Sequence, residues 1–272
     1  MIPKDYITEW RGHAPWVDDA QVEQDLVICR ALVEIFSAPA LAQRLAFRGA
    51  TALFKLHLPA VRYSEDIDLV QVAPEPIGQT FDALHALLDP WLGEPKRQLG
   101  EGRVSLVYRF PSEDQPPRPL RLKIEINSRE HFTVLGHVRR PFDVRCRWFT
   151  GHAEIATFAL DELLGTKLRA LHQRRKGRDL FDLWFALTQA NPSPDRLVEC
   201  FLRYMAESGE PMSRAIFEQT FLAKLRDSLF RADLGPLLRP DTSWDVDAAA
   251  ALVFERLISR LPGEPWKGYR EP

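Results

Sequence analysis

The sequence lacks most of the marks by which common enzyme classes are recognised. It has three cysteines in 272 residues, Cys29, Cys146 and Cys200. They are far apart, odd in number and form no Cys-x-x-Cys pair. This excludes a disulfide framework and a thiolate zinc site, and fits a reducing compartment. Cys146 stands between Arg145 and Arg147, a setting that lowers a thiol's pKa, yet it reads as an idle or buried thiol. The seven histidines show no His-x-x-x-His or His-x-x-Glu spacing for zinc. There is no Gly-x-Ser-x-Gly elbow and no phosphate loop ending in Gly-Lys-Ser/Thr. No apolar run approaches the roughly 20 residues that span a bilayer, and Met1-Ile2-Pro3-Lys4-Asp5-Tyr6 holds no apolar signal core. These absences predict a soluble cytoplasmic protein without a membrane partner. The net charge of -2 excludes indiscriminate coating of nucleic acid, while leaving room for a local basic patch. No internal repeat or low-complexity segment is present.

A hydrophobic content of 45% suffices for one large core or two small ones. Helical spacing runs through residues 18–44, with Val22, Leu26, Ile28, Leu32, Val33 and Ile35 on it. A short strand is predicted at 45–49, a helix at 51–57 stopped by Pro59, a strand at 66–72 and a helix at 77–88. Two β-rich runs, 104–110 and 120–127, flank a proline-rich loop at 111–119. Beyond about residue 150 the spacing predicts helices throughout, at 160–172, 179–190, 194–206, 215–229 and 246–260. Residues 262–272 read as a poorly ordered tail. The domain reading is therefore an α/β part over 1–150 and a helical part over 151–272. Trp148 and Trp184 read as core residues.

The sharpest signal is Ser64-Glu65-Asp66-Ile67-Asp68-Leu69. On a strand, residues two apart share a face. Asp66 and Asp68 then project together while Ile67 and Leu69 point inward. Paired carboxylates repel unless a cation lies between them, and oxygen ligands favour a hard ion such as Mg²⁺ or Mn²⁺. A bare Asp-x-Asp also occurs on solvated strand edges, so the context matters. Upstream stands Phe47-Arg48-Gly49-Ala50-Thr51-Ala52-Leu53. A strand ending at glycine and opening a helix offers backbone N–H groups to a phosphate. Thr51 adds a hydroxyl.

A third acid, Glu125, alternates with Lys123 and Asn127 on the polar side of a predicted strand. It suits the second metal or the attacking hydroxyl of a two-ion phosphoryl-transfer site, and equally the polar face of a half-buried strand. Further on, Lys167, Ala170, Leu171 and Arg174 share one helical stripe. Gly177 then breaks the chain before Arg178-Asp179-Leu180-Phe181-Asp182. A lysine there can neutralise charge on departing pyrophosphate. A basic loop with capping carboxylates has the same sequence.

In this order and spacing the motifs resemble the nucleotidyltransferase AbiEii/AbiGii toxin family, the enzymatic half of type IV toxin–antitoxin and phage-defence systems. The family pattern is a Gly-Gly-Thr-Ala-Leu turn, an Arg-x-Ser-x-Asp-x-Asp strand, an acid-bearing strand, and a Lys-x-x-Ala-x-x-x-Arg helix running into Arg-Asp-x-x-Asp. Here these are Gly49 to Leu53, Arg62 to Asp68, Lys123 to Ile126, Lys167 to Arg174, and Arg178 to Asp182. The similarity covers roughly residues 45–185. Ala50 replaces the second glycine, and Glu125 stands where the pattern often has Asp. Residues 190–272 match no pattern.

The resemblance implies an α+β fold, a polymerase β-like nucleotidyltransferase core with a mixed sheet followed by a C-terminal helical bundle that completes the active cleft. It implies metal binding by Asp66, Asp68 and Glu125. Nucleotide contacts fall to Gly49, Thr51, Arg62, Ser64, Lys167 and Asp179, with Asp182 assisting catalysis. It also implies an NTP substrate, a tRNA 3′ end as acceptor, and an antitoxin encoded alongside. Arg174, Arg175, Lys176 and Arg178 suit an RNA backbone. The residues alone leave open nucleotidyl transfer to a protein hydroxyl, phosphoryl transfer onto Ser64 or a partner, or a non-catalytic binding module on the same fold.

Overall fold

A computed structural model describes residues 2–100 and 102–268. The chain forms two compact units that divide between Phe158 and Ala159. The first opens with α1 (Lys4–Trp10) and α2 (Asp19–Ser37), the latter capped by the Asp18 carboxylate on Ala20 N–H. Pro39 forces Ala38 into extended backbone and ends α2 there, so the helix expected over 18–44 is split and α3 (Pro39–Ala42) follows. β1 (Leu45–Arg48) leads directly into α4 (Gly49–Leu56), then come β2 (Asp66–Gln71) and α5 (Gly78–Leu92). β3 (Lys96–Gly100), β4 (Arg103–Pro111) and β5 (Pro119–Asn127) form a meander, followed by β6 (His137–Arg145) and β7 (Thr150–Phe158).

These strands make one seven-stranded mixed sheet in the order β3-β4-β5-β2-β1-β7-β6. β2 runs parallel to β5 and antiparallel to β1, and β1 runs parallel to β7. The first helix expected beyond residue 150, at 160–172, does start at Leu160, and residues 150–158, read as part of the helical region, are strand. β7 carries the sheet to Phe158, and β6 is its hairpin partner. Neither strand alternates cleanly. β6 is mostly exposed, and β7 is buried without interruption from Ile155 to Phe158. The inward face holds Ile67, Leu69, Leu106, Leu122, Ile124 and Ile126, all essentially solvent-free. α2 packs along the sheet with Leu26, Ile28, Leu32 and Ile35 fully buried. Each such side chain contributes about 1.5–3 kcal/mol. The other face of β2 and β5 is polar, and it carries the candidate site.

The second unit is helical: α6 (Leu160–Gln173), α7 (Gly177–Gln189), α8 (Pro194–Glu207), α9 (Arg214–Leu225), α10 (Ser228–Ala232) and α11 (Val246–Arg256). The helix expected over 215–229 is two, because Asp227 caps a new start at Leu229 N–H. Its core gathers Phe181, Phe201, Phe217, Phe221 and Phe230. Trp184 packs on Phe181, Phe185 and Trp244. Trp148, in the first unit, packs on Trp91 and Arg30. Gly177 is needed where it stands, since a Cβ there would fall 2.1 Å from the Phe230 carbonyl oxygen. Of the tail over 262–272, Trp266 N–H donates to Glu218 at 2.7 Å and Pro262 accepts from Arg214 N–H. The last four residues lie outside the described residues.

Candidate active site

Asp66 and Asp68 occupy alternate positions of β2, with Ile67 and Leu69 buried behind them. The parallel register sets Asp66 level with Lys123, and Asp68 level with Glu125. On the other side Arg48 is level with Asp68. One sheet face therefore brings together the three acids of the sequence reading and two cations, Arg48 and Lys123, that it did not assign to the site.

The glycine turn abuts this face. Gly49 has φ +83°, and a Cβ there would lie 2.1 Å from Asp68 Oδ2. The bare backbone is what lets the start of α4 touch the carboxylate. Two residues on, Thr51 is buried and its hydroxyl donates to the Asp66 carbonyl at 2.5 Å. Thr51 has one hydroxyl proton, so in the 2.8 Å contact between its oxygen and Ser64 Oγ the serine is the donor. Both hydroxyls thus tie α4 to the start of β2. Arg62, expected near the nucleotide, is buried. It donates to the Tyr63 carbonyl at 3.0 Å and lies over the Phe54 ring, so it braces the segment that leads into β2.

The acids are not equivalent. Burial pushes the Asp66 carboxyl up to about 6, and the Asp68 charge adds to the rise against Lys123 and Arg121. Asp66 Oδ1 is buried and accepts no hydrogen bond among the described residues. Burial also tends to raise Glu125, but the hydrogen bond from Lys123 and the charges of Lys123, Arg103 and Arg48 outweigh it and hold it below its ordinary value. Lys123 Nζ lies 2.6 Å from Glu125, and Arg103 is 3.7 Å away. Among the described residues no three acids, histidines or cysteines converge as a ready-made metal cage. The three acids share a face, and of them Glu125 is held by Lys123 and Arg103. Two carboxylates still fit the ion: Mg²⁺ is commonly held by one or two carboxylates, with substrate phosphates and water completing its shell. The orphaned Asp66 oxygen fits the same ion, and the backbone N–H groups of the Gly49 turn fit the phosphates that would accompany it.

In the helical unit Lys167 is buried between two fully buried acids. Its ammonium is 2.8 Å from Asp182 and 3.5 Å from Asp179. Arg174 grips Asp179 through two bonds of 2.8 Å. These four residues clasp α6 to α7. Lys224 donates to the Leu171 and His172 carbonyls at the end of α6, and burial pulls its pKa down to about 8. The basic run is compensated residue by residue. Arg175 lies 4.0 Å from Asp227, Lys176 3.4 Å from Asp233 and Arg178 3.9 Å from Asp233.

Sequence reasoning missed Lys123, Arg48 and Arg121 as site neighbours. The signal for Lys123 was its place two residues before Glu125 on an alternating strand. The register that sets it beside Asp66 joins segments far apart in sequence. All three cysteines, Cys29, Cys146 and Cys200, are buried and outside any disulfide.

Comparison with known proteins agrees with this geometry. The sequence profile of the nucleotidyl transferase AbiEii toxin family, of the type IV toxin–antitoxin system, matches residues 30–252. No curated protein matches by sequence. Among solved structures the fold is similar to MenT4, a nucleotidyltransferase toxin from Mycobacterium tuberculosis H37Rv. The TM-score is 0.69 at 18% identity, covering 96% of this chain and 91% of that one. It is also similar to JHP933 from Helicobacter pylori, with a TM-score of 0.51 at 16% identity over 89% and 91% of the two chains.

Proposed function

We propose, from the premise that this chain belongs to the AbiEii family of nucleotidyl transferase toxins of type IV toxin–antitoxin systems, that it moves a nucleoside monophosphate from an NTP to RNA, with the 3′ end of tRNA as acceptor. The observation that carries this reading is the placing of two aspartates on one strand face, one against a glycine turn and the other with an unpartnered buried oxygen. Asp66 and Asp68 would hold a divalent cation, Mg²⁺ or Mn²⁺. When bound, the cation supplies charge for the phosphates and lowers the pKa of the acceptor hydroxyl.

The chain's own groups do the rest. Backbone N–H groups at the Gly49 turn meet the triphosphate. The Ser64 hydroxyl turns from Thr51 to a phosphate oxygen, while Thr51 keeps α4 fixed on β2. Glu125, level with Asp68, orients the attacking hydroxyl. That oxygen bonds to the α-phosphorus, the bond to pyrophosphate breaks, and the hydroxyl proton passes to a carboxylate or solvent. An antitoxin protein is the expected partner, and the cytoplasm, where NTP and tRNA meet, the expected location. No helix among the described residues is long and apolar enough to cross a membrane.

The test is incubation of the chain with each labelled NTP, Mg²⁺ or Mn²⁺, and total RNA. Label on RNA that disappears with Asp66→Asn is the expected result. Label on protein bands alone ends the RNA reading. No pyrophosphate release with any NTP would leave a binding module.

A further inference from the structure

The basic turn after α6 faces acids at each step, which directs attention to positive charge elsewhere. On the sheet face that carries Asp66 and Asp68, β5 presents Arg121 and Lys123, and β4 presents Arg103 and Arg109. The register fixes this, because residues paired across a ladder share a face: Arg103 with Asn127, Ser105 with Glu125, Val107 with Lys123, and Arg109 with Arg121. Lys96 of β3, paired with Val107, joins the same face.

The Arg109–Arg121 rung is unusual. Like charges directly opposite in an antiparallel pair destabilise the sheet. Both arginines are exposed. Arg121 has Glu65 at 3.0 Å. Arg109 and Lys96 have no ion pair among the described residues. The Glu65 hydrogen bond holds the Arg121 pKa above its ordinary value, and the nearby Asp66 charge adds to the rise. The rung thus keeps a repulsive pair at the border of the acid cluster, where a polyanion would relieve it. From Arg121 to the level of Glu125 and Asp68 is four residues, about 13 Å along β5.

We propose that Arg109 and Arg121, with Lys96 beside them, are the docking strip for the phosphate backbone of the RNA acceptor. The strip delivers the strand's end to Asp66 and Asp68. It rests on the RNA-acceptor reading above and adds the surface that holds the acceptor. The contacts are to phosphate and carry no sequence preference.

The test uses the full chain and a fluorescein-labelled RNA hairpin with a single-stranded 3′ overhang, followed by anisotropy across a salt series. Arg109→Gln with Arg121→Gln is the main variant, and Arg109→Glu with Arg121→Glu the stronger one. The expected result is RNA binding weakened roughly tenfold or more by the Gln pair. The slope of log affinity against log salt should fall by about 1.4, near 0.7 for each lost single-strand contact. Binding of a fluorescent ATP analogue should not fall, and Mn²⁺ should bind no more weakly, because Arg121 is a positive charge beside Asp66. The Gln pair should also melt higher than the wild type, because the repulsive rung is gone. An arginine pair kept for packing would show the opposite.

Unchanged RNA affinity and salt slope in both variants overturns the strip. So does loss of ATP-analogue binding in step with RNA binding, which would make the rung a triphosphate site. If Arg175→Gln with Lys176→Gln, which leaves the Arg174–Asp179 clasp intact, removes RNA binding while the Arg109 and Arg121 variants do not, the surface lies on the helical unit instead. A wild-type chain that neither binds nor labels RNA fails at the earlier reading, and the strip falls with it.

Discussion

Gly49 and Asp68 are in contact through the absence of a side chain: a Cβ on the glycine would lie 2.1 Å from the aspartate's Oδ2. The phosphate turn and the acid strand are therefore one construction. Gly49→Ala meets both this clash and a left-handed backbone at φ +83°. The expected cost is about 1–3 kcal/mol of stability, with displacement of the Asp68 carboxylate. Thermal melts and Mn²⁺ titration followed by electron spin resonance should show both losses. A variant with unchanged melting and unchanged Mn²⁺ affinity would refute the coupling.

Asp66 trades stability for function. Its carboxyl rises from 3.8 to about 6 on folding, so between those values the folded chain holds a proton that the unfolded chain has released. The cost of ionisation is absent below about pH 4 and complete above about pH 6. Asp66→Asn should therefore stabilise the metal-free protein at pH 7.5 by roughly 1–2 kcal/mol after allowance for partial exposure, and by nothing near pH 4. Saturating Mn²⁺ should reverse the order, stabilising only the wild type. Equal melting of the two proteins across pH 4 to 7.5 would show that Asp66 is not strained.

Lys123 competes for the acids that the cation needs. It bonds Glu125 at 2.6 Å and opposes the rise of Asp66. Lys123→Met removes the charge and keeps the length. Divalent-ion affinity, measured by calorimetry, should tighten by roughly tenfold. A weaker affinity would mean that Lys123 supports the ion site in place of opposing it.

Loss of activity in Lys167→Ala would be a poor measure of its role. The ammonium is the direct partner of Asp182 at 2.8 Å, in a fully buried setting. Removing one member of such a pair typically costs about 3–5 kcal/mol. Lys167→Ala should melt far below the wild type, and Lys167→Met with Asp182→Leu should recover much of the loss. NTP binding in that double variant then reads the phosphate role free of misfolding. Unaltered affinity there removes Lys167 from the nucleotide contacts.

The local parts of the site were legible because they are encoded within a few residues. The step from Phe47 through Gly49 to Thr51 reads as strand, turn and helix, and the alternation through Asp66 and Asp68 fixes a common face. The partners of those residues were not legible. Asp68 meets Glu125, and Asp66 meets Lys123, through a parallel pairing that joins distant segments. β6 and β7 escaped because their patterns do not alternate. Asp25 shows the same limit. It is buried, takes hydrogen bonds from the Trp10 and Trp16 indoles, and pairs with Lys55 at 2.5 Å, fastening α1, α2 and α4 together. In the sequence it is one more acid on a helix.

The neighbour of β1 on its far side, β7, has a consequence for how the protein is made. Thr157 Oγ1 donates to the Phe47 carbonyl across 110 residues of chain. During synthesis, at about 5–20 residues per second, β1 waits several seconds or more with one flank open before β7 can join it. A chain cut short anywhere in that stretch leaves Phe47 at a sheet edge, where unpaired backbone invites aggregation and proteolysis. The acid-bearing sheet is thus completed late in synthesis, when β7 closes the open flank of β1.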